Sequence, residues 1–322
     1  SRLYKYSEKI EKYGFSQNAF TYNSAIVFFF EQYRKNIYKI LKIMKKQIEK
    51  FMVDNKDFEI EKSSVENETS EWNKDKDGII FNIVKQKGFS LARNKRVDKL
   101  KNVKKLSMFS VMRENNNIFS KNNVVVVLYG KLSKKEYRKI IKLLASIELG
   151  DKIENKNYHY DKYSQRMNRD TGVIIYNLKS PTFDDYICER IYKNVMVDYD
   201  DSLLFNFVRN KEKMSYGAKY DEIDGVDERV FYFSFTFKDK TKLKEVMNKI
   251  GNVFKTFKQN KDLFEKGKKR TIVEFYKDSL NQTDFAIDLA YYYLIYGEKL
   301  NINEIIKRVS KIYYDHYKNW LK

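Results

Sequence analysis

Two stretches of this chain share one pattern, and that pattern limits what it can fold into. Residues 25–30 read AIVFFF and are followed by a basic amphipathic stretch, 33–51. Residues 230–237 read VFYFSFTF and are followed by 242–257, which has the same character. A short apolar run predicts a buried strand, and the periodic stretch after it predicts a long helix with an apolar stripe. In the first copy Ile37, Ile40, Leu41, Met44, Ile48 and Phe51 form that stripe, and lysines and arginines cover the other face. A strand-plus-helix unit that occurs twice predicts an α+β chain with an internal duplication.

The remaining elements fit that frame. Residues 57–72, 134–144 and 182–199 predict helices, and 263–321 is helical throughout. Residues 124–129, closed by Gly130, predict a buried strand; 173–176 and 216–220 predict two more. The polar, aperiodic stretch 151–171 reads as a linker between a domain at 1–150 and a second at 172–322. The 322 residues suffice for two cored domains. A lone cysteine, Cys188, removes both a disulfide framework and Cys-based zinc clusters. No apolar run approaches a membrane span. The net charge of +20 invites a nucleic-acid reading. The basic residues are mostly lysines, evenly spread among Asn, Ile, Tyr and Phe, as an AT-rich coding sequence produces. With no nucleic-acid-binding motif present, nucleic acid is not an expected partner.

Residues 203–220, LLFNFVRNKEKMSYGAKY, carry the most specific signal. Leu203, Leu204, Phe207 and Val208 sit at helical spacing. A helix that ends in Arg209, turns and re-enters as a strand carrying Tyr216 sets a guanidinium beside a phenol. Such a pair can donate hydrogen bonds to a carbonyl oxygen without being consumed.

This stretch resembles the C-terminal substrate-clamping motif of the pitrilysin/insulysin-type (M16, inverzincin) zinc peptidases, which include the mitochondrial processing peptidases. The family pattern is F-x-x-L-R-x-K-x-x-L-x-Y. Phe205, Val208, Arg209, Lys211, Met214 and Tyr216 occupy its places, with Val and Met for Leu. GFSQNAFT, from Gly14, resembles the family's G-x-x-x-N-A-x-T strand. There an exposed edge takes substrate backbone as an added strand, which assigns Asn18 and Ala19 to peptide binding. Glu61, Lys62, Val65 and Glu68 resemble E-[KR]-x-x-V-x-x-E. The likeness makes Glu68 a candidate third zinc ligand and Glu61 the carboxylate supporting it. Ser64 and Thr69 depart from the pattern.

The resemblance implies two homologous α+β domains, each an antiparallel-rich sheet packed with helices. It implies Zn2+, a peptide or protein substrate held in an interdomain cleft, and a second M16-like subunit or another copy of this chain. It also implies H-x-x-E-H, which binds zinc and activates water. The two histidines, His159 and His316, lack that spacing. In the family the motif precedes the N-A-x-T strand by a short span, which would fall upstream of Ser1. Two functions are therefore expected: a zinc endopeptidase subunit, or a non-catalytic partner that lends Arg209 and Tyr216 to a zinc-bearing subunit. A cytoplasmic location is favoured, with export left open because the chain starts at Ser1 without methionine.

Overall fold

A computed structural model describes residues 10–13, 17–91, 95, 98–121, 123–151, 170–225, 227–237, 243–258 and 260–321. The chain forms two compact units. One draws on Ser1–Asp75 and Val97–Asp161, the other on Lys76–Arg96 and Lys162–Lys322. The stretch Lys76–Arg96, inside the domain expected at 1–150, thus joins the second unit. Most of the expected linker, 151–171, lies outside the described residues.

In the first unit β1 (Gln17–Thr21) and β2 (Ile26–Phe30) form an antiparallel hairpin, with Gln17 opposite Phe30 and Thr21 opposite Ile26. The Tyr22 N–H donates to Ala25 O at 2.8 Å and closes the turn. Helices α1 (Ile37–Glu49) and α2 (Asn55–Lys74) follow. Asp54 caps α2 by accepting the Asp57 N–H at 2.8 Å. This unit's core is small: Leu41, Ile140 and Leu143, with Phe30, Ile37, Met44 and Leu128 packed on it. Two expectations fail here. Strand β2 is half-exposed, with Phe28 at 53%, and among the described residues it pairs on one side only. Residues 124–129 belong to no ladder, and Val126 is exposed. Four consecutive valines have strand propensity, but a strand needs a neighbour, and none pairs with them among the described residues.

Continuing along the chain are α3 (Lys76–Gly88), α4 (Lys99–Lys104), α5 (Met108–Ile118) and α6 (Lys134–Ala145). Of these, α3 belongs to the second unit, whose sheet has the order β3 (Thr171–Lys179), β5 (Glu228–Thr236), β4 (Lys219–Asp224), all antiparallel. The central strand is buried on both faces. Phe231, Phe233 and Phe235 face the helical core, whereas Val230 and Tyr232 pack with Ile80, Val84 and Phe89 of α3 and its end. Gly88 makes that approach possible: a Cβ there would lie 2.8 Å from Val230 Cγ1. Glu228 then accepts the Ser90 and Leu91 N–H groups, each at 3.0 Å, and ties down the chain after α3.

The helical side holds α7 (Phe183–Met196), α8 (Leu203–Asn206), α9 (Leu243–Lys258), α10 (Lys261–Asp278), α11 (Gln282–Tyr296), α12 (Ile302–Lys311) and α13 (Tyr314–Trp320). A reciprocal Thr182–Asp185 cap starts α7, whose Ile187 and Ile191 are wholly buried. At Gly267 of α10 an added Cβ would fall 2.5 Å from Val195 Cγ2 and 2.9 Å from the Ile191 carbonyl. Alanine is worth about 1 kcal/mol over glycine in a helix, but forcing atoms into a packed contact costs about 1–3 kcal/mol. Gly267→Ala is therefore expected to lower stability, read as a smaller urea midpoint, although it improves helix propensity.

Where β5 begins, the buried Arg229 donates to Glu189 (Nε to Oε2, 2.7 Å) and Asp224 (Nη1, 2.6 Å) and lies 3.2 Å from Glu222. The Tyr220 hydroxyl donates to Glu189, and that of Tyr291 to Asp224 at 2.8 Å. On α11, burial and then the nearby Asp278 push the Asp288 carboxyl up to about 7, against the pull of Arg190. The folded protein keeps this proton at pH values where the unfolded chain has lost it. The resulting stability is full below about pH 4 and is lost as pH rises through 7. Asp288→Asn is expected to remove that decline. The variant's melting temperature should gain on the parent's between pH 5 and pH 8, by an amount on the order of a few kcal/mol in stability.

Candidate peptide-binding site

Leu204 and Val208, both wholly buried, anchor the segment that carries Arg209. After α8 the backbone widens into a π turn at Phe207–Lys211, where the Glu212 N–H donates to the carbonyl of Phe207, five residues back, at 3.0 Å. Such turns shift the phase of a helix and recur at functional sites. Here Phe207 and Val208 stay buried while Arg209 reaches the surface. The Met214 and Ser215 N–H groups converge on Val208 O, at 3.1 and 3.2 Å. Lys213 takes a left-handed φ of 49° and reverses the chain, and Met214, 5% exposed, pins the turn to the core.

The guanidinium carbon of Arg209 stands 4.6 Å from the ring centroid of Tyr216, so the expected juxtaposition exists. Its support differs from expectation. Tyr216 precedes the strand, since β4 starts at Lys219, and its ring is 84% exposed. The turn holds it instead: Ser215 Oγ donates to Gly217 O at 2.7 Å. Arg209 has no carboxylate within ion-pair distance among the described residues, so its N–H groups remain available to a ligand. The ring of Phe205 also meets this guanidinium, at 5.3 Å. Its part was readable in principle, because residues four apart on a helix are neighbours.

Asn18 and Ala19 lie on β1, opposite Phe29 and Phe28, and both are exposed. Asn18 Oδ1 accepts the Ala19 N–H at 2.8 Å. Gly14 lies outside the described residues. Glu61 and Glu68 are exposed on α2. Lys62 beside them serves the fold, donating to the carbonyls of Lys104 (3.0 Å) and Leu106 (3.1 Å) where α4 ends. His316 is exposed on α13, and His159 lies outside the described residues. Among the described residues no three His, Cys, Asp or Glu side chains gather as a metal would require. Two exposed glutamates without imidazoles do not fit a zinc ion, which takes four ligands and favours His or Cys. No helix among the described residues is long and apolar enough to cross a membrane.

The same architecture occurs in solved structures. A protease from Helicobacter pylori superposes with a TM-score of 0.79 at 14% identity, over 98% of this chain and 80% of that one. The peptidase M16 inactive domain from Pseudomonas fluorescens gives 0.77 at 12% identity, over 98% and 79%. The periplasmic protease PqqL from Escherichia coli gives 0.69 at 12% identity, over 99% of this chain and 39% of that longer one. No curated protein matches the sequence. The family model for the insulinase-type M16 peptidases matches residues 1–97, and that for the M16 inactive domain matches 116–271. With both models matched in order and the mixed helix and antiparallel-sheet fold shared with these structures, the chain belongs to the M16 peptidase family.

Proposed function

We propose that this chain is the peptide-holding part of an M16 peptidase and binds extended polypeptide for proteolysis or maturation. The observation that carries this reading is Arg209, exposed, in cation–π contact with Tyr216 and without an acidic partner among the described residues. Arg209 and Tyr216 would donate to a carbonyl of the bound chain, and Asn18 and Ala19 would present β1 as an edge for it to join. Glu68, with Glu61 in support, is the carboxylate this chain would lend to zinc. The imidazoles would have to come from outside these 322 residues, since neither histidine has H-x-x-E-H spacing. Zinc when bound supplies an activated water; holding and orienting the peptide is what this chain's own residues contribute.

A second reading rests on the same histidine count. The chain would be a non-catalytic subunit that lends its Arg209–Tyr216 pair to a zinc-bearing M16 subunit.

Binding of fluorescein-labelled, reduced and carboxymethylated α-lactalbumin, followed by anisotropy, tests the shared core of both readings. A charge-assisted hydrogen bond is worth about 1.5–3 kcal/mol, so Arg209→Ala should weaken binding roughly 10- to 100-fold. Tyr216→Phe should weaken it roughly 2- to 10-fold, with melting temperature unchanged. Parental affinity in both variants would refute the clamp. Zinc analysis of the native full-length protein separates the two readings. Stoichiometric zinc that disappears in Glu68→Gln supports a metal-bearing subunit. Zinc-free protein that still binds the unfolded substrate supports the partner role.

A further inference from the structure

We propose that Phe205 and Gly217 are the positioning residues of the Arg209–Tyr216 pair: one aromatic ring, seated against a glycine, sets the direction of the guanidinium. This rests on the clamp reading above. Phe205 precedes Arg209 by four residues, and its ring lies 5.3 Å from the guanidinium carbon, within cation–π range. The same ring meets the turn that carries Tyr216. A Cβ on Gly217 would come within 2.8 Å of Phe205 Cε2 and 3.2 Å of Cδ2, so only a residue without a side chain leaves the ring where it is. Gly217 is itself fixed from both ends by Ser215, whose Oγ donates to its carbonyl at 2.7 Å and accepts its N–H at 3.4 Å.

No carboxylate among the described residues steers Arg209. Its placement therefore comes from two aromatic faces, Phe205 and Tyr216. A cation–π contact holds the guanidinium against a ring without spending an N–H donor on a carboxylate. A carboxylate partner would have consumed such donors. The arrangement thus delivers a placed donor set without spending donors on placement, and the Phe205–Gly217 contact makes the placement depend on both sides of the turn.

The test uses the full chain, with Arg209→Lys serving to assign the Arg209 Nε–Hε resonance. Ring currents from the two flanking rings shift that resonance, so in a variant that keeps both rings it reports placement directly. Phe205→Leu and Gly217→Ala are expected to move it and to weaken binding of the labelled α-lactalbumin about three- to fivefold, the scale of an exposed cation–π contact. Phe205→Tyr, which keeps the ring, should preserve both the resonance and the affinity. A resonance unmoved in Gly217→Ala, which keeps both rings, would overturn the proposal, whatever happens to binding. A moved resonance, in a protein whose Arg209→Ala variant binds as the parent does, would uphold the positioning and overturn the clamp reading instead.

Discussion

Arg229 joins three elements of the second unit at one point. It stands on β5, opposite Asp224 of β4, and reaches Glu189 of α7, all out of contact with bulk water. A guanidinium buried to this depth is tolerable only with opposite charge and full hydrogen bonding, and removing one side of such an arrangement leaves an uncompensated charge. The Tyr220 and Tyr291 hydroxyls donate to Glu189 Oε1 and Asp224 Oδ2, oxygens that also accept from Arg229. The network therefore fixes the register of β4 against β5 and the seating of α7 on the sheet together. Beside it the Gly225 N–H donates to Glu228 O at 2.8 Å and Asp227 takes a left-handed φ of 58°. Since β4 begins three residues after Tyr216, the same constraint sets where the exposed turn leaves the sheet.

How much of this could be read from residues alone varies with the kind of information each feature needs. Helices were legible because their signal is local: the stripe from Ile37 to Ile48 and the Thr182–Asp185 cap each lie within a few turns. Strand β5 was legible because aromatic or β-branched residues fill both parities, which suits a strand covered on both faces. What covers the second face was not legible. Ile80 and Val84 announce a buried helix, but nothing in α3 says that it serves a sheet whose strands begin near residue 171. Residues 124–129 fail for the opposite reason. Their propensity is local, whereas a ladder is a relation between two segments, and sequence reports only one of them.

The candidate site divides along the same line. The spacing from Arg209 to Tyr216 carried the pairing of guanidinium and phenol, because a helix end and a turn fix the distance between them. It did not carry the support. Alternation in 216–220 imitates a strand, yet Ser215 and Gly217 bend the chain first, and the π turn before them has no sequence signature of its own. With 12–14% identity to the solved structures above, what persists is pattern more than residue.

One small feature of β1 has a consequence for selectivity. The amide oxygen of Asn18 already occupies the N–H of Ala19. An incoming strand that wants this donor must first evict a group of its own kind, so the exchange is close to neutral in enthalpy. Such a surface rewards fit along its whole length and gives nothing for a single touch. In the peptide-holding role proposed above, that edge would resist casual sheet extension by other chains and would admit only a guest that repays the eviction with contacts elsewhere.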